Sequence, residues 1–549
     1  MAEADPDPST PASAGHASTL APLGVPIFRA VWVASIVSNF GMLIQSVGAS
    51  WMMVSLGASP QMVALVQAST TLPVMLFALW SGALADNLDR RRIMLAAQAF
   101  MLLVSVLLSA AAFLGLLTPM RLLAFTFLVG CGTAIVSPSW QAAVGDLVPR
   151  PLLPGAVALN SMGFNIARTL GPAVGGAVVA AGGAAAAFLL NAFSYVGIIV
   201  VLARWRPERG PRLLPRERIV DAMAAGVRYA AMSPTLWTVV LRAGIFGLAA
   251  SAVPAMMPLI ARDLVGGGPL TYGLLLGAFG AGAVVGALAS TRLRRRWSTE
   301  RIVRGAILAA AAGSFVAGTS RFVPLTVVAL AAAGGGWVVA LSCFNTTVQM
   351  ASPRWVVGRT LSLYQMVAFG GMAGGASLAG AVASGHGVAV ALDVAAVLAL
   401  AGLLVGLRLP LPELADLDLG PFARWNEPDT AIPIEARSGP VEVSIEYRIA
   451  EPDIPAFLTA MTERRRVRIR DGARGWRLMR DLGEPDLWVE RYEFPTWTEY
   501  VRHHHRRTQS ELAGWRVLQA LHRGGTPPVV RRRIERQTSS LTGTGSRRP

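Results

Sequence analysis

The chain has 549 residues, of which 53% are hydrophobic and only 15% are charged. A soluble chain carries roughly a quarter charged residues, so this composition excludes a wholly soluble protein and indicates one embedded in lipid. The net charge is +17, and most of it lies in short segments between apolar runs, a placement that argues against nucleic acid as a partner.

Apolar runs long enough to cross a bilayer, about 20 residues each, follow one another as far as residue 408. We predict an all-α membrane protein with twelve transmembrane helices. The expected spans are 28–56, 60–85, 92–117, 121–147, 153–181, 184–205, 235–262, 270–291, 299–318, 322–350, 357–384 and 387–408.

The arginines of the connecting segments predict the orientation of the spans. One alternating set of connections contains nineteen arginines, whereas the other contains only Arg121, Arg262 and Arg321. Because basic residues concentrate on the cytoplasmic side, the first set is expected to be cytoplasmic. Both termini are then cytoplasmic, in a protein of the plasma (inner) membrane.

An internal repeat supports the even number of spans. The segment from Gly82 to Arg92 lies 204 residues before a segment from Gly286 to Arg296 that matches it at seven of eleven positions. The same offset aligns further pairs, Gly132 with Gly336, Gly171 with Gly375 and Gly176 with Gly380. Soluble helical repeats have shorter periods of about 20–50 residues, so we predict two six-helix halves in the same orientation.

The pattern changes after residue 440. Residues 441–449 alternate apolar and polar side chains, as a half-buried strand does. We expect a small ferredoxin-like α+β domain. Its remaining elements are predicted as a helix at 453–470, strands at 474–482 and 486–494, helices at 496–508 and 511–523, and a last strand at 528–535.

These patterns divide the chain into seven predicted segments. They are a disordered cytoplasmic N-terminus (1–26), an N-terminal six-helix bundle (27–205), a cytoplasmic central loop (206–234), a C-terminal six-helix bundle (235–409), a linker (410–439), the cytoplasmic α+β domain (440–537) and a disordered tail (538–549).

The connection between spans two and three carries Gly82, Asp86 and the basic pair Arg90 and Arg91. It resembles the signature loop of the major facilitator superfamily. The resemblance implies that Asp86 pairs across the bundles and acts as a conformational latch. Asn87 and Asp89 depart from the usual pattern, and the second copy has Ser290 in place of the acid.

Span five carries glycines at a spacing that resembles the antiporter motif of exporters in the same superfamily. The resemblance implies that this helix presses closely on a partner helix where the two halves meet. The motif residues are Asn165, Arg168, Gly171, Pro172, Gly175 and Gly176.

The run from Pro138 to Pro149 and the tail segments from Arg470 to Trp476 and from Glu490 to Phe494 resemble the subfamily that includes the bacterial enterobactin exporter. This resemblance implies a secondary-active exporter of small molecules, siderophore or drug-like, driven by protons through alternating access. It implies no enzyme activity and no cofactor. The expected partners are the substrate, the proton and the lipid bilayer, and the tail is a candidate surface for self-association.

Polar side chains within the spans are expensive to insert and mark functional sites. The candidates for the cavity or for ion coupling are Asn39, Gln45, Arg168, Arg242, Asn345, Gln365 and Asp393. Two interpretations of Arg168 stay open: it faces the central cavity and attracts an anionic substrate, or it satisfies nearby carbonyls and amides and supports the fold. For a coupling carboxylate the candidates are Asp86, Asp146 and Asp393.

The tail keeps other classes of function open. A membrane-anchored sensor or scaffold that signals through the α+β domain is the alternative to a transporter, and a tail enzyme related to small monooxygenases is a further one. The His503-His504-His505 run and the arginines from Arg464 to Arg470 are interpreted as solvated basic faces or as contacts to acidic lipid headgroups. Adjacent helical residues diverge, so three histidines in a row do not converge on one metal ion.

Overall fold

The computed structural model describes residues 20–87, 89–149, 152–206, 219–353, 355–411, 428, 430–506, 509–524 and 526–535. The chain forms two compact units. The membrane unit comprises Met1–Glu217, Val240–Phe344 and Tyr364–Leu411, and the tail unit comprises Arg218–Val239, Asn345–Leu363 and Pro412–Pro549. The seven segment boundaries given above stay predictions.

The helical part of the chain follows the predicted order. Its helices are α1 (Pro26–Ser55), α2 (Pro60–Asn87), α3 (Arg90–Phe113), α4 (Pro119–Leu147), α5 (Leu153–Arg204), α6 (Ile219–Ala231), α7 (Pro234–Ala250), α8 (Ala252–Leu259), α9 (Pro269–Arg296), α10 (Thr299–Thr319), α11 (Val323–Met350), α12 (Val357–His386) and α13 (Val388–Arg408). Helix starts carry the expected signals, with proline at the first turn of α1, α4, α5 and α9.

Eleven helical segments of the described chain are long and apolar enough to cross a membrane. One of them is α5, whose 52 residues measure roughly 78 Å, more than twice the hydrocarbon thickness of about 30 Å. Gly183 interrupts it with φ 73° and ψ 175°, a backbone conformation that glycine tolerates. The segment therefore accounts for spans five and six, and the prediction of twelve transmembrane helices is confirmed.

The internal repeat is visible in the packing of matching glycines. Gly132 of α4 lies against Met101 of α3, and its counterpart Gly336 of α11 lies against Ala306 of α10. Spans four and ten thus contact spans three and nine in the same way. The two six-helix halves predicted from the 204-residue offset are confirmed.

The C-terminal sheet is built as predicted. Its strands are β1 (Val441–Arg448), β2 (Arg474–Arg480), β3 (Leu487–Phe494) and β4 (Val529–Ile534), and its helices are α14 (Ile454–Arg470), α15 (Trp497–His505) and α16 (Gln509–Leu521). The strand order β2-β3-β1-β4 with antiparallel pairing is ferredoxin-like.

Two expectations are corrected. The predicted central loop 206–234 contains α6, whose buried positions Ala225, Gly226, Tyr229 and Ala230 recur with helical period. Its arginine-rich flank made the segment look like a plain loop.

The solvated face predicted for the histidine run is also wrong at His503 and His504. Both are buried, because His503 stacks on Phe494 at 4.9 Å and His504 on Tyr500 at 4.5 Å, as part of the aromatic core. His505 has no described side chain.

Candidate functional site

A cavity of about 490 Å³ lies inside the first six-helix half, between α1, α3, α4 and α5. We call it the polar cavity, because amides and hydroxyls interrupt an apolar lining. Its polar members are Ser35, Ser38, Asn39, Gln98, Thr133, Ser137, Trp140, Asn160, Ser161, Asn165 and Tyr195. This volume falls within the range of small-molecule sites, about 300–1,000 Å³.

Gln98 is the most informative residue of the polar cavity. It is only 7% exposed, and its Oε1 has no hydrogen-bond partner among the described residues. A buried acceptor without a donor costs about 1–3 kcal/mol. Another amide of the cavity already has a partner, because Asn160 Oδ1 accepts a hydrogen bond from the indole N–H of Trp140 at 3.3 Å. The orphaned oxygen of Gln98 is therefore available to a hydrogen-bond donor on a ligand.

A second cavity of about 300 Å³ is lined by both six-helix halves, and we call it the seam cavity. The first half contributes residues that include Arg168, Gln45 and Pro172, and the second half contributes Pro254, Tyr272, Leu276, Phe279, Gly280 and Trp337. Met42 and Thr133 line both cavities, so the two are neighbours in one polar path.

Arg168 lines the seam cavity, and no described residue forms a hydrogen bond or ion pair with its guanidinium. The same cavity is lined by an aromatic pair, Phe279 and Trp337, which pack edge to face with ring centroids 5.9 Å apart. A cation beside a flat apolar surface is suited to an anion that carries a ring or a hydrocarbon body.

Gln45 belongs to a buried hydrogen-bond network next to the seam cavity. Its Oε1 accepts from Asn191 Nδ2 at 2.6 Å and from Ser105 Oγ at 3.0 Å, and Asn191 also donates to the hydroxyl of Tyr195 at 3.2 Å. A satisfied network of this kind fixes the geometry of α1, α3 and α5. Gln45 therefore lines the cavity with a side chain whose acceptor is already used.

The glycine motif of span five lies at two helix contacts. Towards α1, a Cβ at Gly171 would lie 3.0 Å from Leu43 Cβ, and one at Gly175 would lie 3.1 Å from Ile44 Cα. Towards α9, Gly176 lies against Gly273. The motif thus brings α5 onto a helix of its own half and onto one of the other half.

Arg242 does not line either cavity. It is 3% exposed and donates to Glu300 at 2.5 Å and to the carbonyl of Leu409 at 3.2 Å. Glu300 also accepts from Arg304 at 2.7 Å and from the backbone N–H of Leu411 at 2.9 Å. These contacts tie the ends of α7, α10 and α13 together, so Arg242 has a structural position.

The remaining candidates of the second half lie apart from the lining of both cavities. Asn345 accepts a hydrogen bond from Gln349, one turn along α11, and Gln365 is half-buried in α12. Asp393 in α13 has a buried Oδ1 with no hydrogen-bond partner among the described residues. A partnerless carboxylate oxygen within a span is the unusual feature of this group.

The latch motif is only partly described. Gly82 and Asp86 lie in the last turns of α2, but their side chains fall outside the described residues, as does that of Asp146. Arg90 is the first residue of α3, and Arg91 donates to the carbonyls of Leu202 (2.9 Å) and Ala203 (2.6 Å) at the end of α5.

The unusual Asp89 of the same motif has a local role. Its carboxylate accepts from the backbone N–H groups of Arg91 and Arg92 and caps the start of α3. The aspartate at this position therefore supports the helix end that presents Arg91 to α5.

Sequence reasoning missed Gln98 and Glu300. A lone amide in the apolar run of span three was the available signal for Gln98. Glu300 lies only two residues after the helix-capping Ser298, where an acidic residue ordinarily indicates a favourable helix start. Its ion pair with Arg242 depends on tertiary packing.

The described residues contain no group of three or more His, Cys, Asp or Glu side chains that could hold a metal ion. Cys131 and Cys343 are free thiols. The chemistry that this arrangement offers is binding through hydrogen bonds, apolar surface and the guanidinium of Arg168, which pairs with none of the described residues.

Twelve spans in two repeated halves around internal cavities are the architecture of a polytopic membrane transporter. The sequence profile of the transmembrane secretion effector family matches residues 17–540, and the chain belongs to that family.

Two curated relatives carry transport names. The enterobactin exporter of Shigella boydii is 27% identical over 368 residues, which cover 65% of this chain and 85% of the relative. The staphyloferrin A transporter of Staphylococcus aureus is 26% identical over 235 residues, covering 38% of this chain and 59% of the relative.

Solved structures show the same fold. A bacterial homologue of the human lysosomal transporter Spinster aligns with a TM-score of 0.57 at 14% identity, covering 69% of this chain and 95% of that one. The POT family transporter PepTSo aligns with a TM-score of 0.57 at 14% identity, covering 70% of this chain and 97% of that one.

Proposed function

We propose that this transporter exports small anionic or hydroxyl-rich molecules, siderophore or drug-like, by alternating access driven by the proton gradient. One observation carries the proposal: Arg168 lies in a cavity lined by both halves, and none of the residues that the structure describes forms an ion pair with it. A charge taken out of water without a partner is costly. An anionic ligand would offset that cost at Arg168.

The chemistry of the path supports this substrate class. Gln98 offers an acceptor for a hydroxyl or amide N–H, Arg168 offers a cation, and the Phe279–Trp337 pair offers a flat apolar wall. The names of the relatives, an enterobactin exporter and a staphyloferrin A transporter, agree with molecules of this kind.

The glycine contacts support alternating access. In superfamilies built of two repeats, access alternates as the halves rock around a site near the middle of the membrane. Small residues let backbones of opposite halves approach and slide, as α5 and α9 do at Gly176 and Gly273. We assign the conformational latch to Gly82, Asp86, Arg90 and Arg91. We assign the contact between the two halves to the glycine motif of span five. Both termini are proposed to be cytoplasmic.

Asp393 is the proposed coupling carboxylate among the described residues. Its Oδ1 is buried in α13 without a hydrogen-bond partner, and membrane carboxylates in such positions serve as proton sites. Asp393→Asn is expected to abolish the dependence of efflux on a pH gradient while substrate binding persists. Unchanged pH-driven efflux in this variant would assign coupling to another carboxylate.

The direct test is efflux from right-side-out membrane vesicles loaded with siderophores, macrolides or dyes, with and without a proton gradient. Arg168→Gln is expected to lower transport of anionic substrates at least tenfold, because a charge-assisted contact is worth about 1.5–3 kcal/mol. Arg168→Lys, which keeps the charge, is the matched control and should retain part of the activity.

Two results would overturn the proposal. Failure of Arg168→Gln to reach the membrane, while Arg168→Lys does, would make Arg168 a structural residue. No efflux of any compound from vesicles that contain folded protein would favour the alternative of a membrane-anchored sensor that signals through the α+β domain.

A further inference from the structure

The tail unit contains a cavity of its own, larger than either membrane cavity, with a volume of about 760 Å³. It lies between α14, α16 and the segment that joins α6 to α7. Its walls combine apolar residues (Met232, Ala456, Ala460, Val467, Trp515 and Leu518) with a row of arginines from α14. The transport cycle proposed above makes no use of this cavity.

The arginine row leaves an excess of positive charge beside the cavity. Arg464 and Arg468 share a single carboxylate, that of the fully buried Glu490, at 2.7 Å and 3.5 Å. Arg466 and its exposed ion-pair partner Glu463 line the cavity too. Two guanidiniums facing one carboxylate leave about one unit of charge without a counter-ion.

Arg468 belongs to the same charged wall. It lines the cavity and is 5% exposed, with its Nε 3.5 Å from Glu490 Oε1 and its Nη1 2.5 Å from His503 Nε2. Arginine recognises phosphate with several N–H groups at once. The excess of guanidiniums over carboxylates along this wall therefore points to an oxyanion in the cavity.

The position of the cavity indicates where that oxyanion comes from. Ser233, Pro234 and Thr235 belong to its lining, and the candidate span Pro234–Leu264 begins there. One turn further along, Trp237 is 59% exposed, as tryptophans at the level of lipid headgroups are. A cavity at the start of a candidate span and next to such a tryptophan is suited to a lipid headgroup.

The same cavity is joined to α6 and to the segment before α12 through stacked side chains. Arg470 lies over the ring of Tyr229 at 4.7 Å, Tyr229 packs edge to face on Trp355 at 5.6 Å, and Arg506 lies over Trp355 at 4.4 Å. Arg470 and Tyr229 also line the cavity. A ligand there would touch the residues that hold the α+β domain to these two segments.

We propose that this cavity binds the phosphate group of an anionic membrane phospholipid. Arg466 and Arg468 contact the phosphate, and the apolar wall around Trp515 and Leu518 accepts the glycerol and the first part of an acyl chain. A free phosphate compound of the cytoplasm shares the anion but not the apolar part, and the lining favours the lipid because most of its other members are apolar. The bound lipid would then stabilise the contact between the α+β domain and α6.

The test measures lipid retained by the full-length protein in detergent, using native mass spectrometry with dioleoyl phosphatidylglycerol, dioleoyl phosphatidylcholine or glycerol 3-phosphate. The wild type is expected to retain phosphatidylglycerol in preference to phosphatidylcholine. Arg466→Gln is expected to weaken retention about fivefold, the effect of one basic residue at an anionic surface. Arg465→Gln is the matched control, because Arg465 is the exposed neighbour on α14 that does not line the cavity.

Gly514→Phe provides a second, independent variant. Gly514 lines the cavity, and a Cβ there would meet nothing within 4 Å, so a phenyl ring can fill the space without displacing the backbone. We expect loss of phosphatidylglycerol with an unchanged unfolding temperature. This experiment measures lipid binding and not transport, so its result does not depend on whether the protein exports the proposed substrates.

Three outcomes would overturn the proposal. Equal retention of the two phospholipids would remove the anion requirement. An equal effect of Arg465→Gln and Arg466→Gln would reduce the site to general surface charge. Displacement of phosphatidylglycerol by glycerol 3-phosphate at similar concentration would identify a soluble phosphate compound as the ligand instead of a lipid.

Discussion

Gly176 of α5 and Gly273 of α9 meet backbone to backbone: a Cβ on either glycine would lie 2.8 Å from the Cα of the other. Two further turns along the same contact, a Cβ at Gly280 would lie 2.5 Å from the carbonyl oxygen of Arg168. The two halves of the transporter therefore touch through main chain, directly beside the arginine that we assign to the substrate.

Gly176→Ala is expected to lower efflux about tenfold or more, because a methyl group forced into a closed backbone contact costs about 1–3 kcal/mol and shifts one half against the other. Gly197→Ala is the matched control, since it lies on the same helix and its Cβ would meet nothing within 4 Å. Efflux per folded protein is the measurement. Equal efflux in the two variants would show that transport does not require the close contact between α5 and α9.

Gln98→Leu is expected to abolish transport of hydroxylated substrates and yet leave the protein as stable as before, or more stable. The substitution removes a buried acceptor that lacks a partner, a cost of about 1–3 kcal/mol in the substrate-free protein. Ser139→Ala is the control, because Ser139 Oγ is also buried without a described partner but does not line the polar cavity.

Thermal unfolding and vesicle efflux, measured together, decide this case. Both variants should unfold at the wild-type temperature or above it, while only Gln98→Leu loses efflux. Normal efflux in Gln98→Leu would remove the residue from the substrate path.

Arg242→Gln is expected to destabilise the membrane part by about 3 kcal/mol, because it breaks the buried contact of Arg242 with Glu300 and leaves that carboxylate with Arg304 alone as its counter-charge. Arg262→Gln breaks an ion pair of similar length between exposed side chains, Arg262 and Asp263, and should cost no more than about 1 kcal/mol. The yield of monodisperse protein and its unfolding temperature are the readouts. A well-folded Arg242→Gln protein without efflux would show that Arg242 takes part in transport and does not only support the fold.

Glu490→Gln is expected to destabilise the α+β domain by about 3–5 kcal/mol, since Arg464 and Arg468 would then be buried without a carboxylate. Glu484→Gln is the control, because Glu484 pairs with Arg448 at the surface and its loss should cost about 1 kcal/mol or less. A fluorine label on Leu482→Cys, a position 99% exposed, reports unfolding of this domain within the full chain.

The same carboxylate makes the domain sensitive to acid. Burial by itself would raise the pKa of Glu490, but the guanidiniums of Arg464 and Arg468 outweigh burial and lower the pKa from 4.5 to about 2. A lowered pKa gives stability that is complete above the unfolded value and lost as the pH falls. The label should therefore show stability declining between about pH 4.5 and pH 2, with a smaller decline in Glu490→Gln.

Local patterns in the chain were enough to predict the elements. Apolar runs of membrane length gave ranges that the membrane-spanning helices follow, and Gly183 interrupts α5 between the spans predicted at 153–181 and 184–205. In the tail, the alternation at 441–449 became β1. Period and length are properties of contiguous residues, so they can be read without knowing what packs on them.

Partners across the fold could not be predicted in the same way. Arg168 and Arg242 look alike in sequence, each a lone arginine in a span, yet one lines the seam cavity and the other pairs with Glu300. The arginines of α14 show the same limit. We expected a solvated face, but Arg464 and Arg468 turn inward to Glu490, whereas Arg465 and Arg466 stay exposed.

The sequence by itself determined the class of protein, the twelve spans, the repeat and the α+β tail, because membrane length, charge alternation and a constant offset are written along the chain. Only the tertiary structure decided which glycines face each other, as Gly176 and Gly273 do, and which buried polar atoms remain without a partner. These features depend on residues distant in sequence, because the partner of a buried charge or polar atom is whichever group the fold places next to it.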